Sequence, residues 1–278
     1  MSDWKLSRHA DINGIEIAYD ILGEGPPVVL VHGFPSNSFI WREVAPVLAK
    51  THKVHVYDLP GQGASQRSEG MDVSDAMQAR TLAGLLRFWG LKCPAICLHD
   101  VGNTYGMSAY HFQGCRYERV ALISAAMMNP CVTAATKHAQ KYLEAYRTMP
   151  VELYEQIAAM RVRSTTFKPI RAEAFNAYLD PWRGQHGQSM WYNRVAYLDE
   201  SSIARLEAEL GPMDVPVRII WGAEDTWIPP DQARRLQGHI TNAEVFIIPE
   251  GGHFLMEDAP AEVSRLLVDF LTLPGAPR

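Results

Sequence analysis

The chain has 278 residues, of which 47% are hydrophobic and 21% charged, enough apolar material for a sizeable core in one large domain or two small ones. A net charge of −5 argues against nucleic acid or an anionic membrane surface as the main partner. No run is long and apolar enough to read as a membrane span, residues 1–10 lack the apolar stretch of a secretory signal, and Cys93, Cys97, Cys115 and Cys131 have neither redox-pair nor zinc-site spacing.

A cytoplasmic location with reduced thiols is therefore expected. Residues 12–21 predict a strand or hairpin around the turn signal Asn13-Gly14. The unbroken apolar run 28–31 predicts a strand buried on both faces, running into His32-Gly33. Residues 39–49 carry helical spacing through Ile40, Val44 and Leu48, and 54–59 predict a strand ending at Pro60-Gly61-Gln62-Gly63. A helix over 76–89 closes at Gly90. A strand at 95–98, a helix at 102–112 and a strand at 120–124 follow. From about 130 to 210 only helical periodicity remains, through Tyr142, Leu143, Tyr146, Leu153, Ile157 and Met160. Alternation then resumes with a strand at 215–221, a helix at 230–240, a strand at 245–248 and a helix at 261–271, and residues 274–278 are expected to fray.

Strands alternating with helices predict an α/β fold with a mostly parallel sheet covered on both faces. The all-helical stretch, rich in aromatic and long apolar side chains, reads as an inserted cap. The predicted division is a core of residues 1–127 and 213–278 with a helical cap at 128–212. Open parallel sheets bind ligands beyond the carboxyl ends of their strands, and the conspicuous polar motifs here all fall at strand ends.

The central motif is Leu98-His99-Asp100-Val101-Gly102, which follows an apolar strand and opens a helix. That is the setting of a nucleophile elbow, with Asp100 as the exposed side chain. A carboxylate attacks carbon electrophiles that carry a leaving group or a strained ring, and the alkyl ester so formed must then be hydrolysed. A histidine held by a second carboxylate supplies the base for that step. His253, in Gly251-Gly252-His253, and Asp225, in Trp221-Gly222-Ala223-Glu224-Asp225, follow later strands in the order nucleophile, acid, histidine. Glu224 is a neighbouring alternative to Asp225. In His32-Gly33-Phe34-Pro35 the Phe34 N–H is placed to form an oxyanion hole with the Val101 N–H, while His32 is read as a brace for its loop.

These motifs, together with Asp58-Leu59-Pro60-Gly61-Gln62-Gly63-Ala64-Ser65, resemble the α/β-hydrolase superfamily over nearly the whole chain, in the branch of epoxide hydrolases and haloalkane or haloacid dehalogenases with an aspartate nucleophile. The resemblance implies an eight-stranded sheet and an enzyme without metal or cofactor. The chain departs from that branch at three places. Leu98 stands where the elbow usually has a small residue. Phe34 and Val101 replace the Asn and Trp that haloalkane dehalogenases use for halide. Val101, Asn103 and Thr104 stand where fluoroacetate dehalogenases carry arginines. Epoxide hydrolysis to a diol is therefore the first expectation. A dehalogenase, an ester or lactone hydrolase, and a non-catalytic binding protein on the same fold are the alternatives. In similar hydrolases a cap tyrosine protonates the leaving alkoxide. Trp191-Tyr192-Asn193-Arg194 resembles that stretch with the last two residues exchanged, which makes Tyr192 the candidate acid, with Tyr142, Tyr146, Tyr154 or His138 as a second donor. Trp191, Tyr192 and His99 are the candidate substrate contacts, His99 being expected to pack near the elbow rather than to catalyse. The expected substrate is a small, largely apolar molecule, with no nucleic-acid or membrane partner, and a homodimer is compatible with these features.

Overall fold

Eight strands form one sheet in the order β1-β2-β4-β3-β5-β6-β7-β8 in a computed structural model that describes residues 4–273. They are β1 (Arg8–Ile12), β2 (Ile15–Leu22), β3 (Pro27–Val31), β4 (Lys53–Tyr57), β5 (Ala95–His99), β6 (Val120–Ile123), β7 (Val217–Gly222) and β8 (Ala243–Ile248). The β1–β2 and β2–β4 pairs are antiparallel, and all pairs from β4 to β8 are parallel. The β1–β2 hairpin turns on Asn13 and Gly14, both at positive φ, and Asp11 accepts a hydrogen bond from the Gly14 N–H. Two such residues in succession match the right-handed twist of the strands they join. Every residue of β5, β6 and β7 is buried, as strands covered on both faces must be. The expected fraying of 274–278 lies outside the described residues.

Residues 39–49 do not form one helix. A short 3₁₀ turn spans Ser38–Trp41, and α1 is only Ala45–Leu48. Pro46 is the reason, because it has no N–H for the carbonyl four residues back and its ring clashes there, so it sits in the first turn of a new helix. Of the other core helices, α2 (Asp75–Phe88), α3 (Val101–Phe112), α10 (Asp231–His239) and α12 (Pro260–Thr272) agree with the expected pattern, and the short α11 (Leu255–Asp258) adds to it.

Between β6 and β7 the chain runs through six helices and no strand. These are α4 (Ala134–Lys141), α5 (Leu143–Thr148), α6 (Val151–Arg163), α7 (Ala172–Leu179), α8 (Gly184–Ala196) and α9 (Glu200–Glu209). This helical insert is tied to the rest of the molecule by buried polar contacts. The Asp258 carboxylate accepts from the N–H groups of Phe167 and Lys168 in the insert and from that of Gly252 beside His253, all at 2.8–2.9 Å. The Phe254 N–H donates to the Thr165 carbonyl at 2.7 Å. Arg194 on α8 reaches the Val73 carbonyl and the Tyr105 hydroxyl and lies 3.7 Å from Asp75.

Candidate active site

β5 delivers Asp100 to a sharp turn at the head of α3. Its φ of 54° and ψ of −129° are strained for a residue with a side chain, and the surroundings hold it there. The Asp100 N–H donates to the Ile123 carbonyl, and its own carbonyl accepts from the Asn103 backbone, the Asn103 side chain and the Ala126 N–H. Leu98 does not prevent this turn, because Gly106 on α3 makes room for it: a Cβ at Gly106 would meet the Leu98 methyls at 2.5 Å. On the other side Gly33 lets the loop after β3 close on Asp100, since a Cβ there would meet the Asp100 Oδ2 at 2.4 Å. The Phe34 N–H then donates to Oδ2 at 2.8 Å, and the Val101 N–H also serves the carboxylate.

His32 braces this loop, as its sequence context suggests. The Leu59 N–H donates to Nε2, so the proton lies on Nδ1, which donates to the Gly33 carbonyl at 2.8 Å. Burial keeps His32 neutral by lowering its pKa, against the pull of Asp58.

Asp225 and His253 reach the same edge of the sheet from the loops after β7 and β8. His253 Nδ1 lies 2.9 Å from Asp225 Oδ2, and Asp225 Oδ1 accepts from the N–H groups of Trp227 and Ile228, each at 2.9 Å. Nε2 of His253 stands 3.2 Å from Asp100 Oδ1 but off the line of a hydrogen bond, and it has no other partner. The contact is one of charge. Burial works against a charged imidazole, but Asp225 and Asp100 outweigh it and raise the His253 pKa to about 10. Burial likewise favours a neutral Asp100, yet His253 and the Val101 N–H hold its carboxyl below the ordinary range. The resting arrangement is thus a carboxylate beside an imidazolium.

A cavity of about 40 Å³ opens on Asp100. Its walls include Phe34, Val101, Val132, Ile203 and Ile228, with Thr133, Thr136 and Arg161 as polar groups from the insert. Trp227 also lines it, stacked on His253 with ring centres 5.4 Å apart and planes at 11°. Neither Trp227 nor Arg161 carries a motif that marks it in the sequence. Trp227 is two residues beyond Asp225, a proximity that offers a weak signal. Arg161 is one of several basic residues on α6, and only the tertiary structure singles it out.

The three expected substrate contacts are not among the residues lining this cavity. His99 lies beneath the site, where its Nε2 donates to the His253 carbonyl at 3.0 Å. Burial and the charge of His253 push its pKa down to about 4, so it supports the histidine loop as a neutral ring. Trp191 packs against Phe34, ring centres 4.8 Å apart, one layer behind the wall. Tyr192 is buried between Tyr146 and Tyr154, and its hydroxyl has no hydrogen-bond partner. The Asn193 and Arg194 side chains are both anchored on residues 71–73, which fixes the rotation of α8. Among the described residues no three His, Cys, Asp or Glu side chains are grouped to hold a metal ion, and no helix is long and apolar enough to cross a membrane.

A strained turn at a strand's carboxyl end, beside a histidine–carboxylate pair and two converging N–H groups, defines a hydrolase-type site on an α/β sheet. The sequence pattern of the alpha/beta hydrolase family matches residues 28–266, and the chain belongs to that family. Among solved structures, an alpha/beta hydrolase fold protein from Burkholderia ambifaria is 32% identical, covers 96% of this chain and 98% of its own, and superposes with a TM-score of 0.92. A haloalkane dehalogenase from Bradyrhizobium elkani has the same fold, with a TM-score of 0.79 at 19% identity and coverage of 95% and 96%. A curated relative from Dechloromonas aromatica, 2-hydroxy-6-oxononadienedioate/2-hydroxy-6-oxononatrienedioate hydrolase 1, is 25% identical over 93% of this chain and 91% of its own.

Proposed function

We propose that the protein is a hydrolase that forms an alkyl ester on Asp100, with an epoxide as substrate and a diol as product. The observation that carries this reading is the division of labour between the two Asp100 oxygens. Oδ2 is held by the Phe34 N–H, whereas Oδ1 faces Nε2 of His253 without a formed hydrogen bond. Oδ1 is therefore the nucleophile and Oδ2 the future ester carbonyl oxygen, already in its hole.

In the first step Oδ1 bonds to an epoxide carbon. The C–O bond of the ring breaks, and the oxygen keeps the pair and takes a proton. The acid in this reading is Tyr192, whose hydroxyl proton is uncommitted but must swing into the cavity. Esterification removes the Asp100 charge, one of the attractions that keep His253 protonated, so His253 gives up its proton, which by way of water returns the Tyr192 phenolate to a hydroxyl, and becomes a base. In the second step water adds to Cγ, giving its proton to Nε2. The pair on Oδ2 returns, the ester bond breaks, the diol leaves with the proton from His253, and the Asp100 carboxyl then gives its own proton to His253 to restore the resting pair.

A second reading, displacement of halide, is favoured by the burial of Tyr192 between Tyr146 and Tyr154, since a halide leaves without a proton. Replacing His253 with Gln tests both. Intact-mass spectrometry should show an adduct of the whole epoxide in the first case, or of the alkyl group without its halogen in the second. Normal turnover by His253→Gln without an adduct would overturn the proposal.

A further inference from the structure

Arg161 is an arginine without a carboxylate. It stands in the last turn of α6, lines the cavity that opens on Asp100, and no Asp or Glu oxygen among the described residues lies within ion-pair distance of it. Its polar contact is the Thr133 hydroxyl at 3.4 Å. Arg161 is half-buried, and the fully buried arginines among the described residues are paired or saturated. Arg42 meets Glu257, Arg194 stands near Asp75, Arg218 meets Glu244, and Arg119 donates to two backbone carbonyls. Taking a guanidinium partly out of water is costly unless an anion or hydrogen-bond acceptor replaces the lost solvent. Asp100 attracts the guanidinium across the cavity but lies beyond ion-pair distance, so it does not take the place of the lost solvent.

The guanidinium is also packed on an aromatic ring. Its central carbon lies 3.8 Å from the centre of the Trp227 ring, which also stacks on the His253 ring, so one indole contacts both cations at the cavity wall. A stacked guanidinium presents its N–H groups edge-on, the geometry that grips a carboxylate with two parallel bonds. Around it the walls are mostly apolar, with Thr133 and Thr136 as polar side chains from the insert.

We propose that Arg161 binds a carboxylate of the substrate, so that the substrate class is a short aliphatic acid whose electrophilic carbon faces Asp100. This rests on Asp100 as nucleophile for the reacting end, but not for the binding of the anion. With only about 40 Å³ available, the carboxylate and the reacting carbon are separated by few bonds. Two kinds of molecule share this chemistry, an epoxide acid and a haloacid.

The test uses the wild type, Arg161→Gln and Arg161→Lys. Propionate, which cannot react, probes the site by calorimetry. It should bind the wild type, bind Arg161→Gln about 10- to 100-fold more weakly, and recover in part in Arg161→Lys. Glycidate and chloroacetate are then compared with glycidamide and chloroacetamide, which keep the electrophile and lose the charge. The wild type should favour one acid over its amide in kcat/KM by about 10-fold or more, through KM, and Arg161→Gln should lose that preference by a rise in KM for the acid. Which acid is consumed distinguishes epoxide from halide chemistry. Propionate binding without turnover of any electrophile leaves the anion site standing and removes Asp100 as nucleophile. Equal propionate affinity in wild type and Arg161→Gln, or a wild type indifferent to the charge of its substrate, overturns the proposal.

Discussion

Asp100 sits in a backbone conformation that costs of order 1–3 kcal/mol, and its neighbours are chosen for closeness rather than for chemistry. Gly33 is the sharpest example. A methyl group there would collide with the Asp100 carboxylate, so Gly33→Ala should displace the Phe34 N–H from Oδ2 and reduce kcat by about 10²–10³, the usual effect of losing one oxyanion donor. Steady-state kinetics on any substrate that is turned over gives the comparison, and unchanged kcat would mean that Oδ2 does not become the ester carbonyl oxygen. Tyr192→Phe addresses the proton donor. Epoxide opening should slow by about 10²–10⁴ if Tyr192 is the acid, with halide displacement untouched. Equal rates of epoxide opening in the two proteins would move that role elsewhere.

The residues that meet at the site come from separate elements, and most of that convergence is readable from order alone. Asp100, Asp225 and His253 each follow an apolar run that becomes a parallel strand, and parallel strands in one sheet deliver their carboxyl ends to one edge. The helical insert has no such rule. Its periodicity marks α4–α9 as helices, but not which face of α6 or α8 turns inward, so Tyr192 was legible as a candidate while Arg161 was not. Leu98 is instructive in the same way. It looks wrong for an elbow until Gly106, eight residues later and two turns into α3, is seen to hold the complementary space. Gly106→Ala should therefore destabilise the fold by about 1–3 kcal/mol through overpacking. Combined with Leu98→Ala, the loss should be smaller than the sum of the single variants by at least about 0.5 kcal/mol. Denaturant unfolding of the four proteins measures this, and simple additivity would show that the two residues do not share the space.

At the scale of the whole molecule, the charge arrangement of the site contributes to stability in a pH-dependent way. The His253 pKa rises from an ordinary 6.5 to about 10 on folding. A raised folded-state pKa stabilises fully below the unfolded value and loses that contribution as pH rises through the folded one. Stability from this group should thus fall between about pH 6.5 and pH 10, by at most about 1.4 kcal/mol per pH unit. Asp100, with its pKa lowered, acts in the opposite sense and loses its contribution in acid. Urea unfolding of the wild type and of His253→Gln at several pH values separates the two. The difference between them should shrink as the solution becomes alkaline, and a pH-independent difference would mean that the imidazole is neutral in the resting protein.

The central claim is that the oxygen transferred to the product comes from Asp100 and not directly from water. A single turnover in heavy-oxygen water, with enzyme in excess over a substrate it consumes, decides this most directly. Attack by Oδ1 followed by water addition at Cγ predicts a first product with ordinary oxygen at the new hydroxyl and heavy oxygen retained on the peptide that carries Asp100. Heavy oxygen in the first product, with the Asp100 peptide unlabelled, would mean that His253 directs water straight onto the substrate and that Asp100 is not the nucleophile.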